Sequence, residues 1–151
     1  MKIKLVAALL ATVVAGSVFA QVKPEDAIKF RQSGYGFMAW NMGRIKANID
    51  GQYNKDEVVK AANAIQAIAN SGMGALYLPG TDKGKGWEET HAKPAIWTEQ
   101  DKVGKIAGDL ARESTELARL AANADQAAVK QQFGKVGAAC KACHDDYRIK
   151  H

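Results

Sequence analysis

No uninterrupted apolar stretch in the sequence reaches the roughly 20 residues that a membrane-spanning helix needs. The longest, Leu5–Val14, falls well short. No segment alternates polar and apolar residues over the length of a strand, so nothing points to a sheet. There is no internal repeat and no basic stripe of the kind that binds a phosphate backbone, which argues against a nucleic-acid partner. A Ser/His/Asp constellation, a phosphate-cradling glycine loop and a paired-carboxylate cleft are all missing, so no common enzyme class is indicated. Prolines number three and cysteines two. So few prolines leave room for long helices. Two cysteines are too few for a disulfide scaffold.

The 151 residues are enough for one domain. The first twenty read as a secretory leader: Met1-Lys2-Ile3-Lys4 is basic, Leu5–Val14 is apolar, and Val18-Phe19-Ala20 offers small residues for cleavage. The expected mature domain is 21–151, exported to the periplasm and not held in a membrane. Cleavage would leave 19 of the 21 basic residues against 16 acidic ones, so the formal charge drops from +5 to +3.

Four helical segments are predicted. The first runs from about Pro24 to Ile49, with Pro24 suited to a first helical position and Glu25 and Asp26 near the positive end of the dipole. Ile28, Arg31, Tyr35, Met38, Met42, Ile45 and Ile49 recur at steps of three and four along one face. The second starts at Asn54, where Asn54 and Glu57 resemble a capping box, and stops at Ser71-Gly72. Between Ser71 and Trp97 glycines and prolines break any helical period. The first part of this loop, Met73 to Leu78, is apolar enough to pack inward, and Asp82 to Lys93 is polar and expected in solvent. The third helix is placed from Thr98, with Asp101 to return the cap bond, and its stripe is Val103, Ile106, Leu110, Leu117 and Leu120. The fourth spans about Asp125 to Arg148 on Val129, Phe133, Val136, Cys140, Cys143 and Tyr147. These segments predict an all-α fold: an antiparallel four-helix bundle with a long loop between helices two and three.

Both cysteines lie in Cys140-Lys141-Ala142-Cys143-His144, and C-x-x-C-H is the attachment pattern of c-type haem. Each thiol adds to one vinyl group, and the histidine that follows supplies an axial nitrogen to the iron. Cys140 and His144 are four apart and share a helix face. Three other readings compete. A thioredoxin-like pair belongs at the start of a helix after a strand, whereas this motif closes a helix. A zinc site would have to recruit His91 and His151 at irregular spacing. A disulfide across C-x-x-C within a helix has poor geometry. The expected cofactor is therefore haem c, one per subunit, covalent through Cys140 and Cys143 with His144 on the iron.

With the motif at the end of a four-helix chain, the sequence resembles the cytochromes c′, the class II c-type cytochromes. Lys23 to Ala27, Arg31-Gln32, Gly34 to Met38, Trp40 to Gly43, Met73 to Tyr77, Pro79-Gly80-Thr81 and Val136 to Arg148 carry the resemblance. The Gly34–Met38 and Trp40–Gly43 stretches look most like the purple sulfur bacterial branch. The resemblance implies a homodimer of bundles and a five-coordinate, mostly high-spin iron bound by His144. It implies Tyr35 over the opposite face, Arg31 and Gln32 near the propionates, and Arg148 beside the proximal histidine. Nitric oxide and carbon monoxide are the implied ligands.

Read as residues alone, Arg31 could equally be a boundary arginine with its head in water, and Tyr35 a core tyrosine. Tyr77 and Leu76 either line the pocket or simply pack the loop. Met38 is either a core filler or a sixth ligand, and the latter would make the protein a low-spin electron carrier. No feature of the sequence identifies a redox partner.

Overall fold

The computed structural model describes residues 22–150. The leader and His151 lie outside the described residues. Helix α1 spans Pro24–Asp50, α2 Lys55–Ala69, α3 Ala95–Thr98, α4 Gln100–Asn123 and α5 Gln126–Tyr147, and a 3₁₀ turn covers Met73–Leu76. The described residues contain no strand, only isolated bridges at Lys85–Glu89 and Ala92–Arg148. The long helices form the expected four-helix bundle, with α1 on α2, α2 on α4 and α4 on α5.

Parts of all four predicted stripes become the core. Ile45, Val58, Ile65, Leu117, Val129 and Val136 are buried in one apolar cluster that also takes in Met38 and Ile49. Within it α4 and α5 share a polar layer: the Gln132 amide donates to Glu113 O and Oε2 at 3.0 and 2.8 Å, and buried Ser114 donates to Ala111 O. Glu113 and Ser114, the polar residues between Leu110 and Leu117 of the third stripe, are therefore satisfied.

Two helix starts differ from expectation. Asn54 Oδ1 accepts from Glu57 N at 3.2 Å, but the Glu57 carboxylate pairs with Arg44 and Lys60 and does not return to Asn54. The third long helix begins at Gln100, because Ala95–Thr98 forms its own turn after Pro94 and Thr98 bonds back to Ala95 O. At the next start Asp125 accepts from Ala128 N at 2.9 Å, as a cap should.

Candidate functional site

One end of the bundle is packed less closely than the other. The α4–α5 connection at residues 124–125 makes an antiparallel hairpin, which sets Ile106 level with Cys143. Along α4, Ser114, Leu117 and Ala121 are buried, whereas Val103, Ile106 and Leu110 are only half-buried. Helices α1 and α5 scarcely touch, although each packs extensively on another long helix. Cys140 and Cys143 face this gap half-buried, and burial pushes both thiols up.

Tyr35 projects from α1 on the side of the two thiols, and burial pushes its hydroxyl above the ordinary phenol range. Its ring is 37 % exposed, so it does not fill the core as the other stripe members do. Tyr77 Oη donates to Tyr35 Oη at 3.4 Å, a long bond. Desolvation, with the neighbouring Tyr35, raises the Tyr77 pKa strongly. Trp97 holds Tyr77 from behind, its indole N–H donating to Tyr77 O at 3.0 Å and its ring edge-on to the tyrosine.

Arg31 is buried, and its guanidinium does not reach water. Nη1 donates to Leu76 O at 3.2 Å and Thr81 Oγ1 at 2.8 Å, while Nη2 donates to Thr81 O at 2.8 Å and Thr90 Oγ1 at 3.0 Å. Its planar face covers the Tyr77 ring at 4.6 Å. Desolvation lowers its pKa from the usual arginine value. Among the described residues no carboxylate forms an ion pair with it, so the cation is held by neutral oxygens and a ring. The adjacent Gln32 also faces the loop: Nε2 donates to Glu88 O at 2.9 Å and Oε1 accepts from Trp87 N at 2.7 Å. Both side chains that the resemblance puts near propionates thus serve first as fasteners of the long loop.

The loop's polar half is correspondingly not a free solvated segment. Residues 83–85 and 87–89 are exposed, but Thr81 is fully buried and the backbone lies against α1. A Cβ on Gly86 would come within 2.8 Å of Lys29 N and 2.9 Å of Ile28 Cγ2, so only glycine permits that approach. The sequence assigned no role to Thr81, Thr90, Lys93 or Trp97. Nothing in a polar loop marks which hydroxyl will meet a buried guanidinium.

His144 lies in the last turn of α5, open on one side. Partial desolvation, followed by the Arg148 charge, depresses its imidazole below the ordinary histidine range. A neutral imidazole is the form that ligates a metal. Arg148 is the C-cap of α5 and bridges to Ala92. His91 lies on the same seam, its carbonyl accepting from Ile149 N at 2.8 Å. Met38 sits in the apolar core at 5 % exposure. Met42 packs against that core, and a Cβ on Gly34 would lie 2.9 Å from Met73 Sδ, which places Met73 over α1.

These residues fit a c-type haem. Two thiols of the right spacing border an apolar gap between two helices, with an imidazole one residue on. A buried cation without a carboxylate partner stands on α1, where an anionic group would complement its charge.

Comparison with known proteins agrees. Residues 26–148 match the family model described as Cytochrome C'. The cytochrome c′ of Rhodocyclus tenuis is 60% identical over 129 residues, covering 85% of this chain and 97% of the relative. The crystal structure of the Thermochromatium tepidum protein superposes with a TM-score of 0.83 at 56% identity, covering 87% of this chain and 100% of that one. A second cytochrome c′ structure, of a protein with an unusual ligand-controlled dimer dissociation, gives a TM-score of 0.83 at 54% identity over 87% of this chain and 100% of that one. The family binds haem c, and this chain holds the two cysteines of the covalent attachment. On the match along residues 26–148, the half-buried thiol pair and the bundle that frames it, the chain belongs to the cytochrome c′ family.

Proposed function

We propose that the mature chain is a periplasmic haem protein that binds nitric oxide and carbon monoxide at a five-coordinate, mostly high-spin iron and can take part in electron transfer. The observation that carries the open site is Tyr35. Its partly exposed ring faces the two thiols across the gap, whereas Met38 is buried in the apolar core. When bound, haem c supplies the iron chemistry; the protein supplies ligand, access and charge. Cys140 and Cys143 would hold the group, His144 would present a neutral nitrogen, Tyr35 would restrict entry, and positive charge would come from buried Arg31 and from exposed Arg148.

The alternative, a low-spin carrier with a methionine sixth ligand, is disfavoured by packing. Drawing Met38 out of the cluster it shares with Ile45, Ile65 and Leu117 would open a cavity costing about 2–5 kcal/mol. The visible spectrum of the oxidised protein separates the two readings: high-spin bands support the open site, and a methionine–iron band overturns it.

Colour that survives acid–acetone extraction is the expected result for the intact protein, and loss of colour would refute the covalent link. Cys140→Ala and Cys143→Ala should each assemble poorly, since each loses one covalent tie.

The proposed state is a homodimer through α1. Phe30, Phe37 and Trp40 are 56, 50 and 56 % exposed, so they do not widen the core stripe. Phe37 and Trp40 stack at 5.3 Å and Arg44 covers the indole at 4.8 Å, making a firm apolar face. An exposed aromatic cluster of this kind suits a two-fold partner. Sedimentation at micromolar concentration should show a dimer that Trp40→Glu weakens; a wild-type monomer would refute it.

A further inference from the structure

An α-helix leaves its last carbonyls without intrahelical donors, and a buried or rigid end needs them met from elsewhere. At the end of α5, Arg148 N takes His144 O at 3.3 Å. The next three carbonyls all go to one residue. Lys93 Nζ donates to Asp146 O at 2.9 Å and Asp145 O at 3.3 Å, and Lys93 N donates to Tyr147 O at 2.9 Å.

The seam is two-sided. Ile149 N returns a bond to His91 O at 2.8 Å, and Ala92 pairs antiparallel with Arg148. Pro94, directly after Lys93, starts the α3 turn, so the lysine backbone is anchored on its other side too. The Lys93 ammonium also stands at the negative end of the α5 dipole. Of the nearby carboxylates, Asp145 pairs with Lys141 and Lys150, and Glu99 accepts from the Tyr147 hydroxyl at 2.9 Å.

We infer that Lys93 is a positioning residue for His144: by closing the last turn of α5 from the long loop, it holds the imidazole in place and slows its release from the iron. This rests on His144 being the iron ligand. The last turn carries His144 three residues before Tyr147, so freeing the Asp145 and Asp146 carbonyls, which the ammonium alone caps, loosens the backbone that aims the ring. A lysine that only stabilised the fold would change the melting temperature and leave the iron–histidine bond alone.

The test compares wild type, Lys93→Met and Lys93→Arg as intact haem proteins. In Lys93→Met the amides of Tyr147 and Arg148 should exchange about 5- to 30-fold faster, the effect of losing a charge-assisted cap, while Ile65 in α2 keeps its rate. The ferrous iron–histidine Raman band should shift to lower frequency, and histidine release on addition of nitric oxide should quicken by a similar factor. Lys93→Arg, which keeps the cation and its reach, should restore all three towards wild type. An unchanged band and release rate in Lys93→Met would overturn the positioning role, as would faster exchange throughout the chain. A wild-type protein with no iron–histidine band would instead remove His144 as ligand, and the inference with it.

Discussion

Replacing Tyr35 by alanine should raise the carbon monoxide affinity of the ferrous protein by about 5- to 150-fold, or ~1–3 kcal/mol, and change nitric oxide affinity far less. On the proposed reading, the ring on α1 stands in the path of a ligand approaching from that side, and the ligand would have to displace it. Carbon monoxide binds ferrous iron more weakly and bears that cost fully. Nitric oxide binds strongly enough to move the ring and still bind. The displaced hydroxyl gives up only a long 3.4 Å bond to Tyr77. Tyr77→Phe should therefore raise carbon monoxide affinity by only about twofold. Parallel titrations with both gases test this. An unchanged carbon monoxide affinity in Tyr35→Ala would mean that another group covers the iron, with Met38 the next candidate.

Arg31→Met should lower the stability of the haem protein by about 2–4 kcal/mol, a fall in melting temperature on the order of 10 °C. The methionine fills much of the stem volume but donates nothing. Thr81 Oγ1 and Leu76 O then lose the arginine donor, Thr81 O and Thr90 Oγ1 keep only long 3.4 Å bonds from Thr90 Oγ1 and Ala92 N, and Thr81 is fully buried. The gain from removing a desolvated cation offsets part of this loss, which keeps the estimate below four separate charge-assisted bonds. Protease should then cut within residues 76–93 faster than in wild type. Lys at this position should not rescue, because an ammonium cannot present the planar fork that reaches all four oxygens. A melting temperature within about 2 °C of wild type would show that the loop is held without Arg31.

The two experiments are linked through Tyr77. Arg31 covers the Tyr77 ring, Tyr77 bonds Tyr35, and Trp97 holds Tyr77 by its carbonyl. Loosening the loop should therefore also loosen Tyr35, and Arg31→Met should shift carbon monoxide affinity in the same direction as Tyr35→Ala by a smaller amount.

The helices and the haem motif were legible in the chain because their causes are local. A step of three and four places Ile28, Ile45 and Ile49 on one face in any helix that forms, and Cys140, Cys143 and His144 are brought together by helical spacing alone. Asp125 caps α5 through its own side chain. The long loop was legible only as a loop. Its contacts join residues 45 to 59 positions apart, such as Arg31 to Leu76 and Thr90, and no local periodicity encodes a pairing of that range. Burial decided it: a guanidinium taken out of water must find acceptors, and the nearest belong to the loop, so Arg31 and Gln32 became its fasteners. The same holds for Lys93, an ordinary polar residue in sequence. It acquires a role only where the tertiary fold brings it to the open carbonyls at the end of α5.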